Sequence, residues 1–143
     1  MKNIILIVFV LFLSCKESDS KKMISDKWYG TYSLALNEDS EDWRDAHYIS
    51  LVITKDSIMY EAEGYQLFHS YKLSAVENGN TLKLTFSKAL RNTESVTLEK
   101  TKDFGVLTLQ NNSYTWESPF MDAYYNDGKK KKYVLKKTKG ISD

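Results

Sequence analysis

The sequence predicts an all-β protein, an antiparallel up-and-down barrel of eight or nine strands, with a two-sheet β-sandwich as the alternative. Three observations carry this. Apolar residues recur at every second position along most of the chain beyond Lys27, the pattern of strands with one buried face. Turn-forming residues separate these runs at spacings of about 8–12 residues. The links between runs are short, which favours a meander, and closing the sheet on itself removes edges that would otherwise invite pairing with other chains.

The runs follow in order. Trp28, Gly30, Tyr32, Leu34 and Leu36 share one face of the first strand, with Tyr29 opposite. Ile49, Leu51 and Ile53 mark the second. Ile58, Tyr60, Ala62 and Gly64 mark the third, which puts Glu61 and Glu63 on its other face. His69, Tyr71, Leu73 and Ala75 follow, then Leu82, Leu84 and Phe86. Val96 with Leu98, Leu107 with Leu109, Tyr114 with Trp116, and Tyr133 with Leu135 complete the set. Asn78-Gly79-Asn80 is a strong tight-turn signal, because Asn and Gly tolerate positive φ. Lys55-Asp56-Ser57 and Gln110-Asn111-Asn112 are weaker turns of the same kind. One helical segment is expected, one or two turns from Pro119 to Asn126, with Ser118 as N-cap and Pro119 at the first helical position.

The amino terminus is different in kind. Lys2 precedes ten unbroken apolar residues, Ile4 to Leu13. A spanning helix needs about 20, so this run has the length of a signal-peptide core. Ser14 and Cys15 follow, and Cys15 is the single cysteine of the chain. Residues 16–22, Lys-Glu-Ser-Asp-Ser-Lys-Lys, are polar, charged and without apolar periodicity, as a flexible tether would be. The expected organisation is a signal peptide over 1–14, a tether over 15–26 and a single β-domain over 27–139.

Composition excludes several classes. The 143 residues include 19 aromatics (6 Phe, 10 Tyr, 3 Trp), which does not fit a chain unable to form a core. An internal disulfide is impossible with one cysteine. Removal of residues 1–14 takes away Lys2 and leaves 19 Lys+Arg against 19 Asp+Glu. A balanced charge gives no case for bulk nucleic-acid binding. The charges are nevertheless clustered: Glu38, Asp39, Glu41, Asp42 and Asp45 in one loop, and Lys129 to Lys132, Lys136, Lys137 and Lys139 near the C-terminus.

Two resemblances add to this reading. Leu11-Phe12-Leu13-Ser14-Cys15 resembles a bacterial lipoprotein signal, with Phe12 where that pattern prefers Leu. It implies cleavage after Ser14 and attachment of diacylglycerol, then a further acyl chain, to Cys15. Since each buried CH₂ contributes about 0.8 kcal/mol, two or three chains anchor firmly where one is marginal. The Cys15-Lys16-Glu17 start resembles the export signal that sends lipoproteins of Bacteroidota to the outer face of the outer membrane. The opening Lys27-Trp28-Tyr29-Gly30-Thr31-Tyr32 resembles the first strand of lipocalin-like barrels, where a Trp near a Gly plugs the closed end and an Arg of the last strand packs on it; here the last strand has only Lys. Together with Gly64-Tyr65-Gln66 and Ser118-Pro119, that opening also resembles small Bacteroidota lipoproteins without an assigned activity.

Catalytic and metal signals are sparse. His47 and His69 are the two histidines, and no H-x-x-x-H, C-x-x-C or G-x-S-x-G occurs. The acidic loop lacks the spaced Asp/Asn-Gly pattern of a dedicated Ca²⁺ loop. Glu61 and Glu63, about 6.5–7 Å apart along one strand face, sit opposite the apolar face and so are expected in solvent. His69 is expected to pack inward with Tyr71.

The expected function is therefore a membrane-anchored lipoprotein with a non-enzymatic binding β-domain in the cell envelope, without cofactor, metal or nucleic-acid partner. Its partners would be the outer membrane, through the N-terminal lipid, and a small ligand or an envelope protein. The alternative is an inhibitor or immunity-type protein acting on a protein partner; an envelope hydrolase using Glu61, Glu63, His47 or His69 comes third. The site residues expected are Cys15 for lipidation, Ser14 for cleavage, and Trp28, Tyr32 and Trp116 as barrel-end or binding aromatics. An internal cavity of at least about 300 Å³ would favour a small ligand. A filled core with an exposed aromatic patch would favour a partner.

Overall fold

The computed structural model describes residues 23–138. The leader, the Ser14–Cys15 junction, tether residues 16–22 and Lys139 lie outside the described residues. Eight strands run in chain order: β1 (Gly30–Leu36), β2 (His47–Ile53), β3 (Ile58–Gly64), β4 (Leu67–Asn78), β5 (Thr81–Ala89), β6 (Asp103–Gln110), β7 (Ser113–Glu117) and β8 (Lys132–Thr138). Each pairs antiparallel with the next, and β1 pairs with β8, so the meander closes into a barrel. The sandwich alternative does not form.

The alternating residues point where their period requires. Ile49, Leu51 and Ile53 of β2, Ile58, Tyr60 and Ala62 of β3, and Leu82 and Leu84 of β5 are all buried. Outward positions on β3, β4 and β5 carry Glu61, Glu63, Lys72 and Lys83, with Lys132 and Lys136 on β8. That is the reverse of the apolar outer band of a membrane-spanning barrel. The tight turns form as expected: Asn78 pairs with Thr81 around Gly79-Asn80, and Gln110 pairs with Ser113 around Asn111-Asn112, with Gly79, Asn111 and Asn112 at positive φ.

One expectation needs correction. Val96 and Leu98 do not form a ninth strand: Thr97–Lys100 is a single helical turn, α1, in the long β5–β6 connection. Two alternating apolar residues suit a strand, but a lone helical turn burying Leu98 and leaving Val96 74% exposed satisfies them too. Residues just ahead of Lys27 also contact the barrel. Ile24 lies against the core, and Ser25 donates to Glu77 of β4 from its N–H (2.8 Å) and its hydroxyl (2.6 Å).

The expected helix forms as α2 (Pro119–Tyr125), with the Ser118 hydroxyl accepting from the Met121 N–H at 3.3 Å. It lies between β7 and β8 and closes one end of the barrel with Phe120 and Met121. The opposite end is closed by the 3₁₀ turn Asp26–Trp28. Both ends of the interior are thus stoppered by the chain itself.

A β-bulge sets one core position that alternation does not reveal. Leu84 pairs with Gly105 but Thr85 pairs with Asp103, so Phe104 is an extra residue in β6. The bulge flips the alternation and sends Phe104 inward, fully buried, as Leu107 is. Gly105 adopts φ +82° there, and a Cβ would lie 1.7 Å from the Glu117 carbonyl oxygen.

Candidate functional site

The three aromatics expected at a barrel end or binding site, Trp28, Tyr32 and Trp116, are each fully buried. Trp28 stoppers the β1 end. The Tyr32 hydroxyl donates to the Trp28 carbonyl at 2.7 Å, and the Trp116 indole N–H donates to the Phe104 carbonyl at 2.6 Å. They pack the molecule rather than present a surface.

Aromatic rings fill the interior between the stoppers. Phe104 stacks on Phe120 with centroids 4.4 Å apart. Tyr60 meets Phe104 at 5.2 Å and Tyr71 at 5.7 Å. Under α2 a chain of rings runs from His47 to Tyr125 (5.3 Å), Tyr124 (4.6 Å) and His69 (4.8 Å). His69 is inward, 6% exposed and stacked on Tyr71, as its place in the alternation implies. Burial pushes its pKa down to about 4, so it is neutral near pH 7. The Nδ1 atoms of His47 and His69 and the Tyr71 hydroxyl are buried without a hydrogen-bond partner among the described residues.

Glu61 and Glu63 project from the outer face of β3 while His69 lies inside β4. These groups and His47, behind Tyr125, do not converge on one cleft. Among the described residues no three His, Cys, Asp or Glu side chains are placed to share a metal ion. Within the acidic loop Arg44 reaches both Asp42 carboxylate oxygens, and Ser40 donates to Asp45 at 2.9 Å.

The outer surface is the more informative side. Trp43, in the β1–β2 loop, is 71% exposed and sits edge-on to Tyr65 at 5.4 Å. Tyr48 on β2 stands opposite Glu63 on β3, which stands opposite Phe68 on β4. Tyr48, Tyr65 and Phe68 are 53%, 47% and 38% exposed. Tyr48 and Phe68 flank Glu63, and the Trp43–Tyr65 pair lies in the adjoining loops, so exposed rings gather as an aromatic patch at the α2 end. The sequence pattern did not single them out, because Tyr48 and Phe68 meet only through strand pairing and Trp43 reaches Tyr65 across two loops. Beside the patch an open depression of about 600 Å³ runs over β8, β1, β2 and β3. Another, about 500 Å³, lies against the acidic loop between Asn37 and Asp45.

No protein-family model, no curated protein and no solved structure matches the chain.

Proposed function

We propose that this chain is a lipid-anchored protein of the cell envelope, displayed from the outer membrane, whose β-domain is a non-enzymatic module that binds a protein partner through its outer face. It is the inhibitor or immunity-type reading, favoured here over a small ligand held inside the barrel. The observation that carries the choice is the stoppered, ring-filled interior: Trp28, Tyr32, Tyr60, Tyr71, Phe104, Trp116 and Phe120 are all at or near zero exposure. Space of the size a drug-sized ligand needs occurs instead on the outside, beside exposed aromatic rings of the type enriched at partner interfaces. The anchor follows from the Leu11–Cys15 resemblance, and the tether after Cys15 gives the domain reach from the bilayer.

Photo-crosslinking amino acids at Tyr48 and Tyr65, incorporated in cells, test the interface. Covalent capture of one envelope protein at both positions supports the reading. Absence of capture, with tight uptake of a lipophilic fluorophore by the purified protein, would return the function to the interior. Labelling with radioactive palmitate tests the anchor: incorporation lost in Cys15→Ala supports it, and equal labelling contradicts it.

A further inference from the structure

The 600 Å³ depression lies where the barrel is most sparsely closed. β1 pairs with β2 at seven register positions but with β8 at three, Thr31 to Ser33 opposite Thr138 to Lys136. Beyond Ser33, residues Leu34, Ala35 and Leu36 keep their β2 neighbours and have no register partner on β8. The depression opens over that part of the seam.

Its floor is made of small side chains, Ser33, Ala35 and Ser50, which let another main chain approach the sheet. Val134 and Lys136 stand on one rim; Tyr48, Glu61 and Glu63 stand on the other, and Glu38 is at the end. Ion pairs among the described residues are Lys27–Glu77, Arg44–Asp42 and Lys83–Asp103. Glu38, Glu61 and Glu63 belong to none of them. Three carboxylates without an ion-pair partner among the described residues thus face one trough, whose lining holds one cation, Lys136. Glu61 and Glu63 repel each other along one strand face, so a cation between them relieves that repulsion. Tyr48 offers a half-exposed ring beside Glu63, and the adjoining Phe68 already carries Arg91 5.9 Å above its ring.

We propose that this trough binds an extended, lysine- or arginine-bearing segment of the partner protein, its cations on Glu38, Glu61 and Glu63 and its main chain along β1 beside the seam. The inference rests on the outer-face reading and gives the partner a chemistry. Charge favours it over a neutral glycan, whose hydroxyls can hydrogen-bond to carboxylates but would leave the excess negative charge without an ion pair.

The probe is a fluorescein-labelled decapeptide of alternating Lys and Thr, titrated into the full chain and followed by anisotropy. The same peptide with Glu for Lys, and an uncharged chitin oligosaccharide as competitor, are the comparisons. The Lys peptide is expected to bind and the Glu peptide not to. Affinity should fall at least about tenfold in E61Q/E63Q, and again as salt rises from about 50 to about 300 mM. D39N/E41Q, which removes two loop carboxylates that do not line the trough, should leave it unchanged. Equal binding by E61Q/E63Q, or stronger binding of the oligosaccharide than of the Lys peptide, overturns the proposal. A protein crosslinked at Tyr48 through a segment without Lys or Arg overturns it while sparing the outer-face reading. Failure of the outer-face reading shows instead as no captured protein together with interior uptake of the lipophilic probe.

Discussion

Lys137 places its ammonium 4.9 Å from the centre of the Tyr114 ring and donates to the Tyr114 hydroxyl at 3.2 Å. The same ammonium lies 5.4 Å from the Tyr32 ring and donates to the Lys27 carbonyl at 2.6 Å. Lys137 follows Tyr133 and Leu135 in the inward alternation of β8, so it is a lysine turned toward the barrel end. There it ties the last strand to the 3₁₀ turn that carries Trp28. Where the lipocalin-like opening implied an Arg of the last strand packed on the Trp, the last-strand Lys137 packs instead on the rings of Tyr32 and Tyr114.

Lys137→Met keeps the aliphatic stem and removes the charge. It should cost about 1–3 kcal/mol, the scale of a charged hydrogen bond with a cation–π contact. Lys137→Arg should recover part of that loss. Urea unfolding of the three proteins measures both, and a Met variant as stable as the parent would show the contacts to be incidental.

Gly30 is coupled to the same side chain. Its φ is +146°, and a Cβ there would lie 2.8 Å from Lys137 Cε and 2.8 Å from the Thr138 carbonyl oxygen. The flexible lysine can move, but the backbone oxygen belongs to the β1–β8 pairing that closes the barrel. Gly30→Ala should therefore destabilise by at least about 2 kcal/mol and raise hydrogen exchange in β8 more than in β5. Uniform exchange across the two strands would separate the glycine from barrel closure.

The distance between Gly30 and Thr138 illustrates what the sequence pattern carries and what it leaves out. Inward residues such as Leu51, Tyr60 and Leu82 announce themselves by a period of two, because each strand solves its burial problem locally. The Ser118-Pro119 cap of α2 is equally local. The strand pair that closes the barrel is over a hundred residues apart in the chain, and nothing in either segment names the other. Phe104 is hidden for a related reason: the bulge that turns it inward depends on Gly105 meeting Glu117, a contact between strands. The outer patch is harder still, since Trp43, Tyr48, Tyr65 and Phe68 obey no period and become a group only through register.

Phe120→Ala tests whether the interior is as full as it looks. The ring stacks on Phe104 and meets Tyr60 and Tyr71 edge-on at 5.9 Å each. Truncation should cost about 3–5 kcal/mol, the range for large-to-alanine changes in a close-packed core. Apolar cavities of this origin stay dry and take up small aromatics. Benzene should raise the melting temperature of Phe120→Ala and leave the parent unchanged. A parent protein stabilised by benzene would reveal interior space and weaken the case for the outer face.

Stability should depend on acid in two separable windows. His69 has its pKa pushed down from an ordinary 6.5 to about 4 by burial, so the unfolded chain takes up a proton before the native one does. Its contribution is complete above pH 6.5 and falls between pH 6.5 and 4, with a total near 3 kcal/mol at about 1.4 kcal/mol per pH unit. Glu77 works in the same direction at lower pH. The Ser25 hydroxyl, then the Ser25 N–H, hold its carboxyl at about 2 rather than 4.5, so its contribution is present above pH 4.5 and is lost between 4.5 and 2. Glu77 is on the surface and answers to salt; His69 is not. His69→Phe, which preserves a ring against Tyr71 and cannot titrate, should flatten the upper window and keep the lower one. Glu77→Gln should do the reverse and free Ile24 to Tyr29 for hydrogen exchange. Unfolding free energies measured from pH 7 to pH 2 separate the two, and a His69→Phe protein that still loses stability between pH 6.5 and 4.5 would assign that loss to another group.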